Sequence, residues 1–280
     1  MITDVFERII DSPCELVPGS SAYETLGALA KHDIANAFAA ETPVPREFWN
    51  FGQVSFPYHQ MGAVSSLDLF GLDELILFAF YWQNRNRYRK VIDIGANIGL
   101  HSIILARCGF SVRAFEPDPR HYERLKANLA YNAVESVEAT NAAVSIQDGT
   151  TTFVRVLGNT TGSHLQGAKE SFGDREEFEV QTHAIEPLFG SCDLIKMDAE
   201  GHERELLLSL RPELAKSVDI VVEIGSPANA QSVFEHMAAW DIKMFSQKSG
   251  WSRVTKIEQM PVTHREGSLF VTAKDSMPWA

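Results

Sequence analysis

Apolar residues recur along this chain with two periods, and the change from one to the other divides it. Residues 1–65 open with a short amphipathic helix pattern, VFERII, and continue as turn-rich text: VPGSS, ETPVPREF and SFPYHQMG. From 66 to about 84 Leu72, Leu75 and Phe78 keep helical spacing, which predicts a helix with Ser65 or Ser66 near its start. Arg85, Arg87, Arg89 and Lys90 then fit the solvated end of that helix, where the dipole favours positive charge.

After residue 90 strand and helix alternate. VIDIG (91–95), SVRAFE (111–116), DLIKMD (193–198) and DIVVEI (219–224) predict strands, each followed by a helical pattern opening near 99, 119, 201 and 228. Such alternation predicts an α/β fold whose mostly parallel sheet is covered on both faces, and near-continuous apolar runs agree. Two segments depart from it. TTFVRV and FEVQTH alternate as strands and are joined by a polar, glycine-bearing linker, which predicts an inserted hairpin with a lid at about 151–183. DIKMFS (241–246) and SLFVTA (268–273) have no good helix between them, so the last strand is expected to enter antiparallel. The expected layout is an N-terminal extension, 1–65, and one main domain, 66–280.

Composition narrows the partners. A formal charge of -12 and no basic cluster disfavour nucleic acid. Cys14, Cys108 and Cys192 are scattered and form no C-x-x-C pair, which suits a reducing compartment. The opening MITDVFERII lacks the basic lead of a signal peptide, and the apolar run LFGLDELILFAFYW is too short to span a bilayer. The expectation is a soluble cytoplasmic protein without a transmembrane segment, acting on a small molecule or a glycan. No motif names an oligomeric state.

The first strand runs into a glycine turn, VIDIGANIGLHS, of the kind that holds a nucleotide-like ligand at a helix start. Dinucleotide sites are spaced G-x-G-x-x-G so that the second glycine admits the pyrophosphate. Here Asn97 occupies that place between Gly95 and Gly99, and Asp93 directs a carboxylate at the turn. Both oppose a pyrophosphate and suit a cationic adenosyl compound such as S-adenosylmethionine. Glu116, closing the second strand, is placed to accept ribose hydroxyls. The plainer alternatives are a turn cap for Asp93 and a solvent-facing acid for Glu116.

DIGANIGLHS, FEPDPRHYERLKANLAYN, NAAVS and IKMDAEGHE, in that order and spacing across roughly 90–225, resemble the FkbM family of S-adenosylmethionine-dependent methyltransferases, and FGLDELIL ahead of them also looks familial. The resemblance implies a class I methyltransferase fold, Rossmann-like, with seven strands of which the last is antiparallel. It also implies methyl transfer, mostly to oxygen, on a sugar, glycoconjugate or secondary metabolite. Carried over by motif, Asp93, Gly95, Asn97 and Gly99 would line the methionyl end of the donor, Glu116 its ribose, and His101 and Ser102 its carboxylate end.

The second informative stretch is LIKMDAEGHERELL (194–207). A buried strand delivers Asp198 at its carboxyl end, the edge where open α/β sheets bind ligands, with Glu200 and His202 close behind. O-methylation needs alignment of three atoms and removal of a proton, so these three are the catalytic candidates. Helix capping by Asp198, first-turn acids at Glu200 and Glu203, and a surface position for His202 are the structural alternatives. Asp198, Glu200 and Glu223 also offer hard oxygen ligands, but their spacing selects no metal and none is assigned. A nicotinamide oxidoreductase and a non-catalytic adenosyl-binding module are the rival functions.

Lesser candidates are GNTTGSH (158–164), carrying hydroxyls, Asn159 and His164 in the lid, and the aromatic group FWNF (48–51) with Tyr58 and Trp82, for which core packing is expected. Asn128 and Asn132 are read as structural, Asn132 closing its helix.

Overall fold

The computed structural model describes residues 1–170 and 173–279; Ser171 and Phe172, within the polar linker expected to form the lid, and Ala280 lie outside the described residues. The expected alternation is present. Strand β1 (Lys90–Ile94) leads to helix α4 (Leu100–Arg107), β2 (Ser111–Phe115) to α5 (Pro119–Tyr131), and β3 (Val137–Thr140) follows. Farther along, after the short α6 (Glu186–Phe189), β8 (Leu194–Met197) leads to α7 (Glu203–Leu208) and, past α8 (Pro212–Ala215), β9 (Asp219–Val222) leads to α9 (Pro227–Ala239). The sheet closes with β10 (Lys243–Ser246), β11 (Ser252–Arg253) and β12 (Leu269–Thr272).

These strands form one eight-stranded sheet in the order β11-β10-β12-β9-β8-β1-β2-β3. The first five elements of the crossover series pair in parallel, while β12 runs antiparallel to β9 and to β10. Only short 3-10 turns connect β10 to β12 after the edge strand β11, and without a helix to carry the chain across the sheet the last strand turns back. One feature exceeds the expected seven strands: β11, two residues long, pairs antiparallel with β10 at the edge. β8 and β9 are buried along their whole length, as strands covered on both faces must be. In that apolar layer Asp93 of β1 and Lys196 of β8 are register partners. Each is a buried charge opposite the other.

The hairpin of β5 (Gly149–Val156) and β7 (Arg175–Ala184) is antiparallel, with β6 (His164–Leu165) on its outer edge and β4 (Ala143–Ser145) parallel to β7. Its own small core is Ala143, Phe153, Leu165 and Val180.

The N-terminal residues hold more structure than their turn-rich text predicts. After α1 (Ile2–Asp11) comes an unexpected eighteen-residue helix, α2 (Ser21–Phe38), capped by the Ser20 hydroxyl accepting from the Tyr23 amide. Its buried face is Leu26, Ala30, Ile34 and Phe38, one residue per turn and partly alanine, which makes a faint signal. Helix α3 (Leu72–Gln83) begins later than expected. Ser65 and Ser66 serve the preceding turn instead: Ser65 donates to Asp68, and Ser66 Oγ accepts from the His59 amide. Arg85 lies over Trp82 and donates to its carbonyl, as an end-of-helix cation should.

Phe6, Phe38, Phe48, Phe51 and Phe70 share one hydrophobic cluster with Phe78, Val91 and Leu105, so residues 1–65 are packed into the core of the rest. In FWNF, Phe48 and Phe51 are core and the half-buried Trp49 stacks on Phe6, while Asn50 is exposed. Among the described residues no helix is long and apolar enough to cross a membrane.

Candidate active site

The ends of β1, β2 and β8 meet the hairpin around a half-open crevice. Gly95 and Asn97 line it from the glycine turn, Glu116 and Pro117 from the end of β2, and Asp198 and Glu200 from the end of β8. Val144, Phe153 and Leu165 supply an apolar wall from the inserted sheet, with His164 beside them. Among the described lining residues there is no Lys and no Arg.

The turn is built by close backbone approach. Gly95 has φ +73° and a Cβ there would lie 1.8 Å from the Asp198 carbonyl oxygen, so glycine is required for β1 and β8 to deliver their ends together. Asn97, also at positive φ, donates its amide to Glu116 Oε2 at 2.8 Å, and the Asp118 amide donates to Oε1 at 2.8 Å. Glu116 is 4% exposed, and burial pushes its carboxyl up to about 8 despite those two amides. Each of its oxygens retains a lone pair towards the crevice side of the turn. Asn97 Oδ1 is buried and has no hydrogen-bond partner among the described residues, a group that calls for a ligand donor.

Four of the residues assigned by resemblance to the donor are placed elsewhere. Gly99 packs on α5, where a Cβ would meet Leu125 Cγ at 3.1 Å. Ser102 donates to Asp93 Oδ2 at 2.6 Å, both fully buried behind the turn, and Lys196 Nζ stands 3.6 Å from Asp93 Oδ1. His101 bridges Glu74 Oε2 at 2.7 Å and the Tyr81 hydroxyl at 3.1 Å, tying α4 to α3. Burial alone would raise Glu74, but His101 beside it brings the carboxyl below its usual range. Asp93 therefore acts on the crevice at one remove, through Lys196, which also donates to the Gly95 carbonyl at 3.2 Å and to Asp198 Oδ2 at 3.5 Å.

The second constellation separates in the same way. Asp198 and Glu200 face the crevice, Glu200 in a left-handed conformation and bonded to Lys169 of the hairpin linker. Burial and then the nearby Asp198 raise the Glu200 carboxyl to about 7. His202 turns away: its Nε2 sits 3.1 Å from Ser145 Oγ, and burial lowers its pKa. Glu203, 3% exposed, accepts the Gly201 amide with both oxygens and so closes the helix start. Among the described residues no group of three or more His, Cys, Asp or Glu is arranged to hold a metal ion.

Several contributors were not marked in the sequence. Lys196 is one, its partners brought by fold rather than by spacing. Arg155 of β5 binds Asp118 through two nitrogens, at 2.6 and 2.5 Å, and reaches Glu176, clamping the hairpin beside the β2 end. His121, held neutral by burial that lowers it to about 4, meets Thr160 Oγ1 at 3.0 Å across the crevice mouth. On the far side the Ala63 amide donates to the Gly158 carbonyl at 2.7 Å, fastening the hairpin to the N-terminal segment. Asn128 and Asn132 are structural as expected: Asn128 holds the Ile98 carbonyl, and Asn132 closes the helix as its C-cap, its side chain donating to the Asn128 carbonyl at 2.8 Å and also bonding the Ser55 backbone.

Comparison with known proteins bears on this geometry. A methyltransferase from Sordaria araneosa, sdnD, is 29% identical over 180 residues, covering 52% of this chain and 70% of its own length. The hexuronic acid methyltransferase AglP of Haloferax volcanii is 26% identical over 172 residues, covering 60% of this chain and 65% of its own. Among solved structures, an S-adenosylmethionine-dependent methyltransferase from Agrobacterium tumefaciens aligns with a TM-score of 0.43 at 11% identity, over 84% of this chain and 72% of its own. The methyltransferase FkbM domain matches residues 93–248, more than half of the 280-residue chain, and its bounds enclose both the glycine turn and the Asp198 strand end. On that match the chain belongs to the FkbM methyltransferase family.

Proposed function

We propose that the chain transfers a methyl group from S-adenosylmethionine to a hydroxyl of a sugar, glycoconjugate or secondary metabolite. The observation that carries this reading is Glu116: a buried carboxylate with both oxygens fixed by backbone amides, opening on the same crevice as Asp198. Such an acceptor suits a ribose diol, and the unpartnered Asn97 Oδ1 suits a donor hydrogen of the same ligand. A crevice lined by Glu116, Asp198 and Glu200, with no Lys or Arg among the described residues, suits a cationic ligand and opposes a pyrophosphate.

When bound, the donor supplies a methyl carbon made electrophilic by its sulfonium; the acceptor oxygen forms the new bond as the carbon–sulfur bond breaks. The chain's own part is to hold the acceptor hydroxyl at the β8 end and to take its proton. Asp198 is the base in this reading. Glu200 orders the hairpin linker through Lys169, and the hairpin with residues 1–65 forms the cover over the acceptor side. A positioned base of this kind contributes about 10²–10⁴-fold. Isothermal calorimetry with S-adenosylhomocysteine and with NAD tests the assignment: tight uptake of the first and none of the second is expected, and the reverse result removes it.

A further inference from the structure

One ammonium serves both the sheet interior and the crevice. Lys196 is the register partner of Asp93 on the neighbouring strand, and its side chain is 8% exposed. Its Nζ donates to the Gly95 carbonyl at 3.2 Å and stands 3.5 Å from Asp198 Oδ2 and 3.6 Å from Asp93 Oδ1. The two carboxylates differ in freedom. Asp93 is fully buried and held by the Ser102 hydroxyl, which fixes its place. The Asp198 side chain is 38% exposed, lines the crevice and has Lys196 as its one side-chain partner among the described residues. A lysine carries three ammonium hydrogens, enough for the carbonyl and both acids. Burial opposes the charge on Lys196, but Asp198, Asp93, Glu74 and Glu223 outweigh it and hold the ammonium above its usual range.

Resting on the donor reading above, with Asp198 as its base, we infer that Lys196 is a positioning residue for the proton transfer: anchored on Asp93 and on the glycine turn, it fixes the Asp198 carboxylate at the crevice as an anion. The other groups that face this pair are acids: Glu74 from α3, Glu116 from the end of β2, Glu200 and Glu203 around the start of α7, and Glu223 after β9. The nearby cations are engaged elsewhere, His101 with Glu74 and Lys169 with Glu200, and the Tyr81 hydroxyl is kept protonated chiefly by burial. Burial is the largest influence on Glu116, Glu200 and Glu223 and raises all three, and Lys196 opposes it in each. Without that ammonium Asp198 would stand among like charges with no partner. A carboxyl so placed takes up a proton, and can then accept none from the acceptor hydroxyl. Asp93 and Ser102, set behind the turn, thereby gain a use: they hold the ammonium that holds the base.

The test is a carboxyl titration on the full chain, which needs no acceptor. Aspartate isotope-labelled at the carboxyl carbon is followed by NMR, and the Asp198 signal is the one missing in Asp198→Asn. The double variant Asp93→Asn with Lys196→Met removes both buried charges and leaves an oxygen for Ser102; replacing both partners of a buried pair is tolerated far better than removing one. In it the pH midpoint of the Asp198 signal should rise by about one pH unit or more, the low end for losing an opposite charge at this range. Loss of Asp93 removes a like charge and pushes the midpoint the other way, so a rise belongs to Lys196. Lys196→Arg keeps the charge and should hold the midpoint near that of the parent. In the parent chain the Lys196 nitrogen signal should step at the same midpoint and lose that step in Asp198→Asn, a readout that stands even if the double variant does not fold. A midpoint unmoved in the double variant, or a lysine signal blind to Asp198, reduces Lys196 to the counter-ion of Asp93 and overturns the inference. Calorimetry with S-adenosylhomocysteine is read separately: absence of uptake removes the donor reading and the reaction the pair would serve, while the titration decides the pair itself.

Discussion

The two cavities that meet at Asp198 are built differently. The larger crevice is a product of backbone: a glycine at positive φ, two amides on Glu116, strand ends held together by the carbonyl of Asp198 facing Gly95. The smaller, a tight space bordered by Glu74, Lys196, Asp198, Glu223 and Ser268, is a product of side-chain charge, its walls drawn from a helix, two strands and the approach to a third. A backbone-built site fits a ligand common to many related proteins, because it depends on the turn and little else. A charge-built pocket is free to vary while the fold stays fixed.

The sharpest way to break the contrast is at the residue both cavities share. Asp198→Asn keeps the shape and removes the proton acceptor. Methyl transfer should fall about 10³-fold, with S-adenosylhomocysteine affinity within about threefold of the parent. If turnover survives in single-turnover assays, the base lies elsewhere and Glu200, raised to about 7, becomes the group to replace.

Next in size is Gly95→Ala. The added methyl meets the Asp198 carbonyl at 1.8 Å and the residue must hold φ +73°, so β1 and β8 cannot keep their ends together. Urea unfolding should show a loss of about 2–4 kcal/mol. Gly99→Ala, whose methyl meets a leucine side chain at 3.1 Å, should lose less and bind donor nearly as before, which separates the glycine of the site from the glycine of the packing.

Those two glycines also mark how far the sequence can be read. The strand-turn-helix rhythm shows in VIDIGANIGLHS because periods of two and of 3.6 residues leave a direct trace in the order of apolar positions. Glu116 and Asp198 were legible for the same reason: each closes a strand, and strand ends converge in this class of sheet. His101, Ser102 and His202 sit beside those motifs in the chain and yet point to Glu74, Asp93 and Ser145, because the direction of a side chain on a first helical turn depends on where the helix docks. Lys196 lay in plain view within LIKMD but read as one charge in an apolar strand. Its meaning comes from its register partner Asp93, more than a hundred residues earlier. Glu223 was legible in the same way as Asp198, as an acid near the end of DIVVEI.

A third prediction concerns pH. Glu116 is raised to about 8 and Glu203 to about 7, both chiefly by burial. A carboxyl whose folded pKa exceeds its unfolded one binds more protons in the folded state across the interval between them, so stability falls as pH rises through it. The melting temperature of the unliganded chain should therefore decline from about pH 5 to pH 8. Donor affinity should move the other way, because a ribose diol donates best to an ionised Glu116. S-adenosylhomocysteine should bind more tightly as pH passes about 8, and Glu116→Gln should flatten that rise while weakening binding about tenfold. A slope unchanged in Glu116→Gln places the titrating group elsewhere in the crevice.

The smallest expected effect is the most discriminating. His202 lies in the same motif as Asp198, and a histidine four residues beyond a strand-end acid invites a role in proton transfer. Its ring is instead bonded to Ser145 of β4, away from the crevice, and burial lowers its pKa. His202→Ala should cost about 1 kcal/mol of stability through that one bond, with the methyl transfer rate reduced no more than about threefold. Rate and stability then part company between two residues of one motif, Asp198 moving the first and His202 the second. Should His202→Ala slow transfer as severely as Asp198→Asn while the fold and donor affinity hold, the division between a residue that faces the reaction and one that only braces β4 would fail, and the imidazole would have to turn towards the crevice during turnover.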